Sequence, residues 1–212
     1  MKVKWLGHSS FLITSAGGVS IITDPYKPDS RLSYGEIKET ADIVTVSHEH
    51  GDHNNTAAVA GNPEALRASA EVKGIKFRGI PVYHDENEGK ERGKNTIFCF
   101  TVDGVSVCHL GDLGHDLSES QLRDIGSVDI LLMPVGGFYT IDADTAGRIG
   151  ERLKPRVIIP MHFRNSKCAF PISGVEDFLR GKQVTQTKNS EAEFTADNLP
   201  PATQIMVLQP AL

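Results

Sequence analysis

Short apolar runs separated by polar or glycine-containing segments dominate the first half of the chain, and this pattern predicts β-strands. These runs are residues 3–6, 11–14, 19–23 and 43–46. The second and third flank Ser15-Ala16-Gly17-Gly18, which predicts a β-hairpin. Asp24-Pro25 ends that hairpin, because proline cannot donate to a strand ladder.

The middle of the chain predicts a second hairpin. Residues 75–83 form another strand-like run, and residues 96–102 and 105–110 flank Asp103-Gly104, a strong turn dipeptide. Between the two hairpins the pattern is weak. Asn62-Pro63-Glu64 predicts the start of a helix there, because proline suits the first helical turn.

Helix and strand patterns alternate in the second half. Residues 118–125 predict a helix that begins with a Ser-x-x-Gln capping box, and residues 142–153 predict a second helix. Residues 129–133 and 157–159 predict buried strands. This order favours an α/β (α+β) protein with two β-sheets covered by helices. No linker is evident, so residues 1–212 are expected to form a single domain.

Composition narrows the class of protein. The 212 residues are 39% hydrophobic and 23% charged, which is typical of a globular protein. The formal charge of −5 argues against an extended nucleic-acid-binding face. The three cysteines form no C-x-x-C pair, so reduced, buried thiols are expected. Residues 5–23 lack charge but are interrupted by polar residues and glycine, so neither a membrane span nor a signal segment is expected, and a cytoplasmic location follows.

Candidate chemistry is concentrated directly after the predicted strand 43–46. His48, His50, Asp52 and His53 form an H-x-H-x-D-H motif. Imidazole and carboxylate groups are the ligands that suit zinc and neighbouring metals. The alternatives are a chance histidine-rich turn and one structural zinc ion. Compact structural zinc sites usually use cysteine, so the motif favours a catalytic metal site.

Three further candidate ligands share one structural context. His84, Asp112 and His162 each follow a predicted strand. A single histidine in such a place is more often a core residue than a ligand. Loops after strands gather at one sheet edge, however, so the shared position predicts that these side chains converge with the motif.

At this point the chain resembles the metallo-β-lactamase superfamily. Further motifs place it near a branch of small Zn-dependent hydrolases that includes proteins similar to L-ascorbate-6-phosphate lactonase. These motifs are W-L-G-H-S-S-F at 5–11, H-L-G-D at 109–112, P-V-G-G at 134–137 and I-P-M-H at 159–162. The resemblance implies a four-layer αββα sandwich with two mixed sheets flanked by helices and a dinuclear site at one edge.

The resemblance also implies roles for individual residues. His48, His50 and His84 would hold the first metal, Asp52, His53 and His162 the second, and Asp112 would bridge them. Asp24 and His109 would support these ligands, although Asp24 is equally explained as a turn residue and His109 is the substitute if His84 lies elsewhere. His8 would face the site, to contact substrate or relay a proton, unless it is a simple turn histidine; His115 is expected to be a helix-entry residue.

The expected activity is hydrolysis by a hydroxide that bridges two divalent ions, most readily Zn²⁺, with Mn²⁺ or Fe²⁺ as alternatives. Two such ions, two carboxylates and one hydroxide leave a charge of about +1, which favours a small anionic substrate. A lactone or other carboxylic ester is the favoured substrate. Residues 85–95 are expected to form a pocket wall and Arg164 to contact the anion; the alternative is that the loop and Arg164 are both solvated surface. The alternatives are a phosphodiesterase or nuclease, a di-iron redox protein and a non-catalytic binding module. Residues 183–212 offer no catalytic signal beyond a strand-like run at 205–208.

Overall fold

The computed structural model describes residues 1–212 as two β-sheets packed face to face. In chain order the strands are β1 (Lys2–Gly7), β2 (Ser10–Thr14), β3 (Ser20–Thr23), β4 (Ile43–Thr45), β5 (Glu64–Leu66), β6 (Ala70–Val72), β7 (Ile75–Tyr83), β8 (Lys94–Val102), β9 (Val105–His109), β10 (Ile130–Pro134), β11 (Val157–Met161), β12 (Val184–Gln186), β13 (Glu191–Glu193) and β14 (Gln204–Val207). The helices are α1 (Glu119–Ile125), α2 (Ala143–Leu153), α3 (Glu176–Leu179) and a 3₁₀ turn, Thr56–Ala58.

The first sheet has the order β13-β1-β2-β3-β4-β5. Strands β1, β2 and β3 are antiparallel neighbours, which confirms the predicted hairpin, and β4 then pairs parallel to β3. The outer face of this sheet carries Ile22 and Val44, which pack under an irregular segment that contributes Tyr26, Leu32 and Tyr34. This layer therefore consists of loop and one 3₁₀ turn.

The second sheet has the order β12-β14-β11-β10-β9-β8-β7-β6. The hairpin β8–β9 is antiparallel, whereas β9, β10, β11 and β14 run parallel. Every residue of β10 is buried, as expected for a parallel strand covered on both faces. The helices α1 and α2 contribute Ile125, Ala146 and Ile149 to the same apolar cluster. The two mixed sheets with helices confirm the predicted fold class.

Side-chain alternation explains how the sheets join. Val3, Trp5, Ile21 and Ile43 point inward from the first sheet into an apolar cluster of 44 buried residues shared with the second sheet. Their chain neighbours point to the opposite face, since successive side chains on a strand alternate. This interior holds the strand ends of both sheets at one common edge.

Two local predictions differ from the structure. Asn62-Pro63-Glu64 does not begin a helix; β5 starts at Glu64 and pairs parallel to β4. Asn62 adopts φ +52°, which turns the chain into that edge strand. The strand predicted at 157–159 extends to Met161, and Pro160 is tolerated because β11 pairs with β14 only at Val157 and Ile158.

All three cysteines are buried and free. None of the helices has both the length and the apolar character needed to cross a membrane.

Candidate metal centre

The predicted ligands lie where strands of both sheets end at the shared edge. His48, His50, Asp52 and His53 follow β4 of the first sheet, and His8 follows β1. His84, Asp112 and His162 follow β7, β9 and β11 of the second sheet. The structure thus brings together every residue that the sequence proposed as a ligand, from loops that lie far apart along the chain.

Asp112 lies at the middle of this cluster. Its Oδ2 atom is 3.2 Å from His53 Nε2, 3.3 Å from His162 Nε2, 3.4 Å from His84 Nε2 and 3.9 Å from His48 Nε2. One carboxylate therefore borders imidazoles from four different chain positions.

The donor atoms fall into two groups around Asp112. His48, His50 and His84 have ligand atoms within 4.8 Å of one another, and so do His8, Asp52, His53 and His162. His48 Nε2, His53 Nε2 and Asp112 Oδ1 are buried and make no hydrogen bond. Buried polar atoms normally have partners, so these orphaned atoms fit a centre that binds metal ions.

Asp24 and Ser47 orient two of the imidazoles. Asp24 is fully buried and accepts hydrogen bonds from Ser47 N at 2.8 Å, from Ser47 Oγ at 2.5 Å and from His53 Nδ1 at 2.9 Å. Ser47 Oγ also lies 3.0 Å from His48 Nδ1 and, having donated its proton to Asp24, accepts from that ring. Both rings thus keep a proton on Nδ1 and present Nε2 to the site. Asp24 therefore supports the histidine loop, which is one of the two interpretations that the sequence left open.

Asn95 holds the backbone beside Asp112, and the sequence reasoning missed it. Its Oδ1 accepts from Asp112 N at 3.0 Å, and its Nδ2 donates to Leu110 O at 2.9 Å. Asn95 is the second residue of β8 and pairs with Val82 near the end of β7, so the only sequence signal was a polar residue near a strand start. The sequence reasoning also missed Ser47, because it directly precedes the H-x-H-x-D-H motif and is not part of it.

His109 and His115 are engaged elsewhere. His109 Nε2 donates to Ser9 O at 2.9 Å, and its Nδ1 accepts from Gly111 N at 3.2 Å. His115 Nε2 accepts from Tyr83 N at 3.2 Å, and its Nδ1 donates to Asp116 O at 2.8 Å. Neither ring has a free nitrogen, so His84 rather than His109 faces Asp112.

His8 contacts the cluster from the first sheet. Its backbone has φ +51°, and its carbonyl accepts hydrogen bonds from Trp5 Nε1 and His162 N. Its Nε2 lies 3.3 Å from Asp52 Oδ2, and its ring is 4.2 Å from that of His162. The position predicted to face the site therefore contacts two of its donors.

Burial and neighbouring charge set the protonation of the cluster. Burial lowers the pKa of His8 to about 4 and that of His48 to about 3, so both rings are neutral at pH 7. Burial alone would raise the pKa of Asp112, but His162 and His53 hold it well below its usual value. Burial would likewise raise the pKa of Asp52, and His53 and His8 lower it. The carboxylates are thus ionised and His48 is unprotonated, which are the forms that bind metals. Burial alone would lower the pKa of His53, but Asp112 and Asp52 raise it well above its usual value, so a metal bound at Nε2 would displace a proton.

A cavity of about 600 Å³ opens onto the cluster. Five of the proposed ligands line it, namely His50, Asp52, His84, Asp112 and His162. Arg92 also lines it, so the loop predicted as a wall contributes one side chain. Arg164 is exposed and outside the lining, so its interpretation as solvated surface is the better one. Lys27, Arg31, Tyr139 and Phe170 line the cavity too, and no motif identified them.

Comparisons with known proteins agree with this geometry. The model of the β-lactamase superfamily domain matches residues 2–162. A UPF0173 metal-dependent hydrolase from Archaeoglobus fulgidus is 30% identical, and the alignment covers 91% of this chain and 94% of that protein. A UPF0173 metal-dependent hydrolase from Methanoculleus marisnigri is also 30% identical, with coverage of 77% and 81%.

Solved structures share the fold. A protein from Thermotoga maritima, assigned to the Zn-dependent hydrolases of the metallo-β-lactamase superfamily, superposes with a TM-score of 0.80 at 35% identity and covers 98% of this chain and 99% of its own. Igni18, a metallo hydrolase from Ignicoccus hospitalis, has a TM-score of 0.69 at 22% identity, with coverage of 99% and 95%.

Proposed function

Because this chain belongs to the metallo-β-lactamase superfamily of metal-dependent hydrolases, we propose that it hydrolyses a small carboxylic ester, with a lactone as the favoured substrate. One observation carries the proposal. Imidazoles and carboxylates from both sheets converge around Asp112, with buried nitrogens that have no other partner, at the base of an open cavity.

The proposed centre holds two divalent cations. His48, His50 and His84 would bind one, Asp52, His53 and His162 the other, and Asp112 both. Nitrogen and carboxylate donors suit Zn²⁺, and Mn²⁺ or Fe²⁺ are the alternatives. When bound, such cations supply ionised water at neutral pH and polarise the oxygen of the substrate.

The composition of the cavity supports water as the nucleophile. Its lining contains no serine, threonine or cysteine. A covalent route through an aliphatic hydroxyl or a thiol therefore has no side chain at the cavity surface.

The residues around the ligands have defined tasks in this proposal. Asp24 and Ser47 keep the Nδ1 protons of His53 and His48 in place. Neutral His8 donates a hydrogen bond from Nε2 to Asp52 Oδ2 and thereby orients that carboxylate. Arg92 and Tyr139 line the cavity, whose volume of about 600 Å³ suits a small molecule.

Metal analysis and a substrate panel test the proposal. The chain, purified without chelator, is analysed for zinc, manganese and iron and is then assayed on lactones, aryl carboxylic esters and bis-aryl phosphates. We expect two ions per chain and ester turnover. Asp112→Asn should lower kcat/KM by at least about a hundredfold, beyond the 10- to 100-fold typical of residues that only support a metal site.

The matched control is Asp129→Asn. This aspartate directly precedes β10 and accepts from Ser106 N and Oγ at 2.8 Å, outside the cavity. The proposal is wrong if the metal-loaded chain cleaves no ester. Cleavage of only the phosphates would instead establish the phosphodiesterase alternative. A cytoplasmic location and the lack of a nucleic-acid partner stay predictions from the sequence.

A further inference from the structure

Three positive side chains line the cavity. Lys27 and Arg31 come from the segment after β3, and Arg92 comes from the loop after β7. Apart from the proposed ligands, the only negative side chain in the lining is Asp29. These four side chains together carry a formal charge of +2, although the whole chain carries −5. We call Lys27, Arg31 and Arg92 the cationic rim.

Aromatic rings connect the two arginines. The guanidinium of Arg31 lies 4.9 Å from the ring centre of Phe170, and that of Arg92 lies 5.8 Å from the ring centre of Tyr139. The two rings contact each other edge to face, with centres 5.8 Å apart. Stacking on aromatic faces favours one orientation of each guanidinium. The rings thus place both arginines along one side of the cavity.

Each arginine also has its backbone held by a carboxylate. Asp29 accepts from Arg31 N at 2.7 Å, and buried Asp85 accepts from Arg92 N at 2.7 Å and from Glu91 N at 3.0 Å. The ion pairs made by the guanidiniums themselves are loose, at 3.9 Å to Asp29 and 3.6 Å to Glu91. The guanidinium donors therefore stay available for a ligand.

We propose that the cationic rim binds an anionic group, phosphate or carboxylate, which the substrate carries apart from the bond that is cleaved. Guanidinium groups bind both anions through paired hydrogen bonds. The rim and the proposed metal ligands line one cavity of about 600 Å³, a volume suited to one small molecule that contacts both. The identity of the cleaved bond rests on the proposed function; recognition of the anion does not.

Equilibrium binding tests this inference without turnover. The metal-loaded chain is titrated by calorimetry with three cyclopentane analogues that hold no cleavable bond: cyclopentylmethanol, cyclopentanecarboxylate and cyclopentylmethylphosphonate. The variants are Arg31→Ala, Arg92→Ala, the double variant and Arg92→Lys. The control Arg180→Ala removes an exposed arginine outside the cavity. Circular dichroism checks the fold of each.

We expect at least one of the two anions to bind at least about tenfold more tightly than the alcohol. Arg31→Ala and Arg92→Ala should each remove about tenfold of that affinity and leave binding of the alcohol unchanged. Arg92→Lys should recover part of it, because lysine keeps the charge without the planar fork. The preferred anion distinguishes a phosphorylated substrate from a carboxylated one.

Two results would overturn the inference. One is equal binding of all three analogues by the unmodified chain. The other is an anion preference that survives in the double variant, since the metal centre alone would then attract the anion. If the anions bind as expected but no ester is cleaved, the cationic rim stands and the proposed function fails.

Discussion

Asp24→Asn is the most informative perturbation of the metal centre, because it preserves the size of the side chain and because Asp24 does not line the cavity. Asp24 accepts three hydrogen bonds, two from Ser47 and one from His53 Nδ1. Burial alone would raise its pKa, but His109 and His53 lower it, so the carboxylate is ionised at neutral pH. An amide has one acceptor oxygen, so at least one of the three donors loses its partner.

The expected loss follows from these contacts. A hydrogen bond to a charged group contributes about 1.5–3 kcal/mol, and about 1.4 kcal/mol changes an equilibrium tenfold. If His53 loses its partner, its Nδ1 proton and ring orientation are no longer fixed. Zinc binding should then weaken by about 10- to 100-fold, the usual effect of removing a residue that supports a metal ligand.

Competition with a chelator measures the zinc affinity, and urea unfolding of the metal-free chain measures stability separately. Asp42→Asn is the matched control, because Asp42 accepts from Ser20 N at 2.9 Å and from Ser20 Oγ at 3.1 Å at the opposite ends of the same two strands. It should leave zinc affinity unchanged. Unaltered zinc affinity in Asp24→Asn would refute the reasoning.

Four further predictions concern other parts of the molecule. In Gly136→Ala the new Cβ would press against the His162 carbonyl and lie 3.2 Å from Ile172, so this variant should bind zinc more weakly. In Gly147→Ala, in α2, the new Cβ would meet only Lys182 Nζ at 3.9 Å, so the free energy of unfolding should rise by about 1 kcal/mol. Zinc titration and denaturant unfolding of both variants check this, and the same zinc affinity and stability in the two would contradict it. Free zinc at 100 times its Kd should raise the free energy of unfolding by about 2.7 kcal/mol per site, and an unchanged Tm would count against a preformed centre. Burial raises the pKa of the Cys108 and Cys168 thiols, so Ellman's reagent should modify them only after unfolding; rapid labelling of the folded chain would be the contrary result. That residues 1–212 form one domain stays a prediction, which calorimetry tests by looking for one unfolding transition rather than two.

Local sequence information was sufficient where the interactions are local. The predicted capping box is present in α1, where Ser118 Oγ accepts from Gln121 N at 3.2 Å and Gln121 Oε1 accepts from Ser118 N at 2.9 Å. The turn at Asp103-Gly104 was predictable for the same reason, because both residues adopt positive φ. Asn62-Pro63-Glu64 misled because pairing with β4, a contact distant in sequence, determines that edge strand.

The candidate site divides in the same way. Positions after strands predicted which ligands would meet, since strand ends share a sheet edge. Arg92 lies in the loop that the sequence predicted as a pocket wall. Arg31 and the aromatic rings were not predictable, because irregular segments carry Arg31 and Phe170. Long-range contacts determine the paths of these segments, including the bridge between Leu32 and Cys168 and the hydrogen bond from Asn165 Nδ2 to Tyr34 Oη at 2.7 Å.

The proposed ligands come from loops of both sheets, so the packing between the sheets affects the distances between those ligands. The β4 loop and the loops after β7, β9 and β11 meet only because the two sheets rest on each other at a set spacing. Thr96 N donates to Ser47 O at 2.9 Å and directly ties the two sides together. A larger side chain deep between the sheets would push the sheets apart and increase the distance between His48 and His84. We therefore expect selectivity among metal ions of different radius to depend partly on apolar residues that contact no ion.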